Sequence, residues 1–196
     1  MNYFLDLAFS LLTTPKKAML YITGEEKWKE GFLFWIFVVF LTALSAFQEG
    51  PGLVLQFVLV VLFMGFSLLI HSAVTDYLAG LWGGLGTARG ITAGFMAGSL
   101  PMAFSVFFSF LDVVGASFLS GIGTFIIWVW AFYLDVLAIS TNYRFGTGKS
   151  FLLALTPYLL VGLFFIILAI LMVLAAAIGI STMESLNDVE AMMNQI

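Results

Sequence analysis

Apolar residues run along this chain in long unbroken stretches, with neither the alternation of a half-buried strand nor the single stripe of a surface helix. Five stretches stand out. The first runs from Gly31 to Gln48, after the charged group Glu25, Glu26, Lys27, Lys29 and Glu30. The second runs from Leu53 to about Thr75, and the third from Gly90 to Leu111, between Arg89 and Asp112. The fourth starts near Ser117, passes Asp135 and ends around Thr141. In the fifth, nothing between Lys149 and Glu184 is charged. About 18 or more such residues cross roughly 30 Å of hydrocarbon as a helix. A membrane barrel would need alternating residues instead. The pattern predicts an all-α integral membrane protein, a bundle of five transmembrane helices over residues 24–180.

A short amphipathic interfacial helix is expected ahead of the bundle, within residues 1–23. Thr14-Pro15 reads as a helix start, Thr at the N-cap and Pro in the first turn. Ala18, Met19 and Ile22 then share one face while Lys16 and Lys17 point elsewhere, which suits the cytoplasmic headgroup layer. An ordinary juxtamembrane connector is the other reading. Thr23 with Glu26 has capping-box spacing and puts the start of the first span near Gly24. Residues 181–196 form an acidic tail. There Ser181 and Glu184 either cap a short helix carrying Leu186, Val189 and Met193, or the tail frays. The N-terminus lacks the basic start and the length of apolar core of a cleavable signal.

Composition narrows the classes. Of 196 residues, 62% are hydrophobic and 9% charged, with mean hydropathy +1.13. A soluble domain of this size has no interior large enough for that much apolar surface, and disorder needs the opposite composition. Seven Lys and Arg against eleven Asp and Glu give a net charge of −4, which excludes a basic nucleic-acid-binding domain. With no cysteine there are no disulfides and no thiolate chemistry.

Charge placement sets an orientation. Lys16, Lys17, Lys27 and Lys29 precede the first run, Arg89 separates the second from the third, and Arg144 and Lys149 separate the fourth from the fifth. Five crossings put all seven cations on one side. Glu49, Asp112, Glu184, Asp188 and Glu190 fall on the other. By the positive-inside rule the N-terminus is cytoplasmic and the C-terminus extracytoplasmic.

The ionisable residues inside the runs are His71, Asp76 and Asp135. Such groups count as functional candidates by default. His71 and Asp76 lie roughly 27 and 35 Å along a helix from Leu53, near the cytoplasmic boundary, with Asp135 at a similar or slightly deeper level. With Arg89, Arg144 and Lys149 in reach, the six make a candidate polar cluster there. Structural ion pairing is the leading interpretation, a pocket for a headgroup or small polar ligand the next, and a proton- or metal-linked site the last. Ser67, His71 and Thr75 share one helical face, and Ser72 and Asp76 another. Gly90, Gly94 and Gly98 form two GxxxG steps, and Ser117 and Gly121 one small-residue step. They suit close helix packing, within the monomer in preference to a homo-oligomer. Pro101 and Pro157 should kink their helices.

Two motifs mislead. "GTGKS" (Gly146 to Ser150) imitates the end of a phosphate-binding loop, but Tyr143 stands where its first glycine belongs. "GGLGTARG" lacks the dinucleotide-binding spacing. Nothing pairs carboxylates or assembles a Ser-His-Asp set, so the chain is expected to be non-enzymatic, without cofactor or metal.

Taken together, "LLTTPKKAMLYI" (Leu11–Ile22), "EEKW" (Glu25–Trp28), "AGLWGGLGTARG" (Ala79–Gly90) and "AGSLPM" (Ala97–Met102) resemble the Yip family, Ypt/Rab-interacting membrane proteins, in its prokaryotic form. The resemblance covers about Phe4 to Ala177. It implies five spans, a cytoplasmic N-terminus and, in eukaryotic members, association with Rab GTPases, vesicle transport and membrane shaping. The family's Asp-Leu-Tyr-Gly-Pro signature is missing; the nearest stretch is Asp76-Tyr77-Leu78-Ala79-Gly80, so a Rab partner does not carry over. The expectation is a membrane-organising or adaptor protein of a prokaryotic cytoplasmic (inner) membrane, meeting lipids and other membrane or cytoplasmic proteins, and no nucleic acid. The alternative is a small transporter, channel or lipid-handling protein with a cavity between kinked spans, lined by Ser99, Thr124 or Gln56.

Overall fold

A computed structural model describes residues 2–45 and 52–193, with side chains for 3–44, 52 and 54–176. Gln48 and Glu49, and the tail side chains from Ser181 onward, lie outside the described residues. All regular structure among the described residues is helical: α1 (Asn2–Thr13), α2 (Pro15–Gly24), α3 (Trp28–Ser45), α4 (Leu53–Leu81), α5 (Ala88–Gly98), α6 (Ser105–Val113), α7 (Ser117–Tyr143) and α8 (Thr147–Met193). Four stretches are long and apolar enough to cross a membrane: Val54–Leu81, Ala88–Val113, Ser117–Tyr143 and Thr147–Ala176. α3 has 18 residues and spends its first turn on Lys29 and Glu30. The chain divides into two compact units, residues 1–155 and 156–196.

In the first unit the long helices alternate in direction. The Trp35 ring of α3 lies over Gly65 of α4, and Phe40 meets Phe57 edge-on at 6.3 Å, so these two run antiparallel. On α5, Gly94 faces Ala138 and Gly98 faces Leu134 of α7, again antiparallel. Between α5 and α6 the chain passes through a 3₁₀ segment, Leu100–Phe104, with Pro101 in its first turn. Pro101 has no N–H to continue the α ladder. The hydroxyls of Ser99 and Ser105 each donate to a carbonyl three residues back, on Met96 and Met102, both at 2.7 Å. The change of helix type therefore falls where the sequence expects a kink. The second unit is the continuation of α8 and begins just before Pro157, which sits inside that helix.

The N-terminal helices differ from the expected interfacial arrangement. α1 and α2 form an antiparallel hairpin tied by a hydrogen bond between the Tyr3 and Tyr21 hydroxyls. Pro15 opens α2, but the Thr14 hydroxyl bonds back to the Ser10 carbonyl and does not cap it. The face of α2 that the spacing assigns to lipid (Ala18, Met19 and Ile22) is buried, and α2 packs on α5 and α7. Protein covers it because the glycines of α5 leave room for a third helix. Phe4 of α1 stacks on the fully buried Phe34 of α3 at 4.4 Å.

Nor do Thr23 and Glu26 form a capping box. α2 continues to Gly24, and α3 begins at Trp28. Between them the Lys27 N–H donates to the Ile22 carbonyl and the Glu26 N–H to the Thr23 carbonyl, with Glu26 at φ 50°. This is a Schellman stop, usually built on glycine. The same stop ends α4 at Gly83 (φ 77°).

The tyrosine pair makes a pH prediction. Its hydrogen bond to Tyr21 pushes the Tyr3 phenol up from its ordinary 10.0 to about 12. A raised pKa means that the protonated pair stabilises the hairpin fully below pH 10.0, and that this contribution is lost as pH rises through about 12. Ultraviolet titration is expected to show a late tyrosinate step that Tyr3→Phe abolishes; an unchanged titration in that variant contradicts the pairing.

Candidate functional site

The polar residues gather where α2, α5 and α7 and the turn after α4 meet. Thr87 caps α5: its hydroxyl oxygen accepts from the Gly90 N–H at 3.0 Å. The same hydroxyl donates to Glu26 Oε1 at 2.8 Å, and the Thr87 carbonyl accepts from Asn142 Nδ2 at 2.9 Å. Glu26 Oε2 lies 3.9 Å from Arg89 Nε, and the Arg89 guanidinium stands over the Trp28 ring. One layer deeper, the Thr23 hydroxyl donates to the Met19 carbonyl at 2.8 Å and meets the Thr141 hydroxyl at 3.0 Å. Thr87, Glu26 and Asn142 thus link three separate segments.

Nearby, Glu25 pairs with Lys27 at 3.0 Å. That carboxylate, with the Tyr21 hydroxyl, holds the Lys27 ammonium above the usual lysine range. Both partners are solvent-facing, so the pair contributes little to stability.

Glycines make this junction possible. A side chain on Gly90 would collide with the Asn142 carboxamide and, at 2.8 Å, with the Thr23 carbonyl. One on Gly94 would stand 2.8 Å from Ala138 Cβ and 2.9 Å from Thr23 Cγ2. One on Gly98 would stand 3.0 Å from Asp135 Oδ1. The contacts at Gly90 and Gly94 are shorter than a real carbon contact allows, and at Gly98 the Asp135 carboxylate would have to give way, so the stripe admits α2 and α7 together. Gly86 brings the turn equally close to Asn142. Gly121 has nothing within 4 Å among the described residues, and Ser117 is exposed. The packing glycine of α7 is instead Gly123, against which the Phe108 ring is seated.

The six candidate cluster residues have different immediate neighbours. Asp76 Oδ1 accepts from the Tyr143 hydroxyl at 2.7 Å. His71 lies against the Phe95 ring, centroids 4.4 Å apart. Asp135 sits beside Gly98. Arg89 turns to Glu26, Lys149 stands over the Phe145 ring, and Arg144 ends α7 in the left-handed region at φ 57°. Among the described residues, no ion pair joins Asp76 or Asp135 to Arg89, Arg144 or Lys149. No group of three or more metal-ligating side chains forms among them either. Ser72 and Thr75 turn into the bundle, both buried.

Thr87, Asn142 and Tyr143, the residues that make the ties, do not stand out from the sequence by charge or apolar pattern. The one signal for them is local: Thr87 directly precedes an apolar helical run at N-cap position. In comparisons with known proteins, no family model, no curated protein and no solved structure matches the chain.

Proposed function

We propose that the chain is a five-span membrane protein of the Yip type, with its cation-bearing end in the cytoplasm, acting without catalysis as a membrane-organising or adaptor component. In this reading α3, continued by the apolar sequence to Gln48, is the first span; α4, α5 with α6, α7 and α8 are the others. The N-terminus then faces the cytoplasm and the C-terminus the outside of a prokaryotic cytoplasmic membrane, as the positive-inside rule favours. One observation carries the reading: the segments bearing Lys27, Lys29, Arg89 and Arg144 are tied at one end of the bundle through Glu26, Thr87 and Asn142. An ordered rim with exposed cations is a surface that other proteins and anionic headgroups recognise.

Because the chain contains no cysteine, single-cysteine labelling tests the orientation. In intact cells, Val114→Cys should react with an impermeant maleimide, and Leu85→Cys only after permeabilisation; both sites are exposed. The reverse pattern refutes the topology. For the adaptor role, a photo-crosslinking residue at Leu85 or Arg144 should capture proteins in native membranes, and one at Val114 should not. Adducts confined to Val114 would refute it.

A further inference from the structure

A groove of about 310 Å³ runs between α1 and α2. Its floor is apolar and closed, formed by Leu7 and Ala18, both buried. Its walls carry opposite charges: Asp6 on α1 and Lys17 on α2. The tyrosine hydroxyl pair lies in the lining, and Ser10 and Thr14 add two further hydroxyls. Asp6 and Lys17 line the same space, yet among the described residues no ion pair joins them. Each is exposed and has hydrogen-bonding capacity to give. On other faces of the hairpin, Leu5 and Phe9 of α1 and Leu20 of α2 are exposed apolar side chains.

A ligand that satisfies both walls carries a cation and an anion on one short scaffold. A purely anionic headgroup would gain Lys17 but stand against the Asp6 carboxylate, where like charges repel. A choline headgroup has the right charges but no N–H to donate. A primary ammonium donates charge-assisted hydrogen bonds to a carboxylate and to hydroxyl oxygens, and a phosphate accepts them from lysine and tyrosine. Exposed leucines and a phenylalanine on the hairpin's other faces suit contact with a lipid surface. We infer that this groove holds the headgroup of an ethanolamine phospholipid, with its ammonium against Asp6 and its phosphate against Lys17.

The inference rests on the membrane reading above, which the cysteine labelling tests separately; lipid selectivity fails or holds whatever the orientation. The full-length protein is to be purified in detergent and titrated with phosphatidylethanolamine, phosphatidylcholine and phosphatidylglycerol, with bound lipid counted by native mass spectrometry. Phosphatidylethanolamine should bind about tenfold more tightly than the other two, the size of one charge-assisted hydrogen bond. Asp6→Asn should erase the preference over phosphatidylcholine, and Asp6→Glu should retain it. Lys17→Gln should weaken all three about tenfold, whereas Lys16→Gln, outside the groove, should leave the preference intact. Equal binding of the three lipids by the unaltered protein overturns the inference. So does a preference that survives in an Asp6→Asn protein of normal circular dichroism, or binding of soluble phosphoethanolamine with no selectivity among the lipids.

Discussion

Gly94→Leu is expected to abolish the recoverable fold. The first added carbon would stand 2.8 Å from Ala138 and 2.9 Å from Thr23, and three more carbons follow it. α5 is held between α2 and α7, so relief on one side deepens the collision on the other. One methylene too many in a packed interior costs about 1–3 kcal/mol; a whole leucine side chain exceeds that. The measurement is a melting curve and a size-exclusion profile in detergent. The variant should lose its transition or elute aggregated, while Gly121→Leu, with open space around the position, should match the parent. A Gly94→Leu protein with the parent's melting temperature but half its mass would mean that the stripe joins two copies instead.

The second large effect falls on Asn142. Its carboxamide donates to the Thr87 carbonyl at 2.9 Å from a position only 9% exposed. Asn142→Ala removes that side-chain donor, at a cost of about 0.5–1.5 kcal/mol, while the carbonyl keeps the Ile91 N–H at 3.0 Å. It also opens a hole beside Gly90 and Gly86, which are shaped around the carboxamide. A fall in melting temperature is expected, with faster protease cleavage in the turn at residues 82–87. Thr87→Val, which loses both the cap on Gly90 and the bond to Glu26, should act in the same direction. If neither variant changes protease sensitivity, the turn is not held by this network.

The long helices are legible because the signal for them is cumulative: an uncharged run such as Leu53–Thr75 has few alternatives to a helix of membrane length. The placement of α2 is not legible. Ala18, Met19 and Ile22 make the same stripe whether lipid or protein covers it, and nothing in a single sequence pairs that stripe with the distant Gly94. The site suffers from a different blindness. His71, Asp76 and Asp135 attract attention as ionisable groups among apolar ones, whereas three segments are tied by Thr87 and Asn142, uncharged residue types common in any loop. Glu26 is the hardest to see, since its backbone turn normally signals itself by glycine.

The burial of α2 against α5 and α7 bears on how the molecule is made. Met19, Ile22 and Thr23 leave the ribosome before α5 and α7, and the surface that receives them is incomplete until Thr141 and Asn142 have been synthesised. During that interval the leading hairpin has no seat. Until then its apolar stripe stays open to chaperones, and α7, the later of the two receiving helices, sets the moment at which it locks.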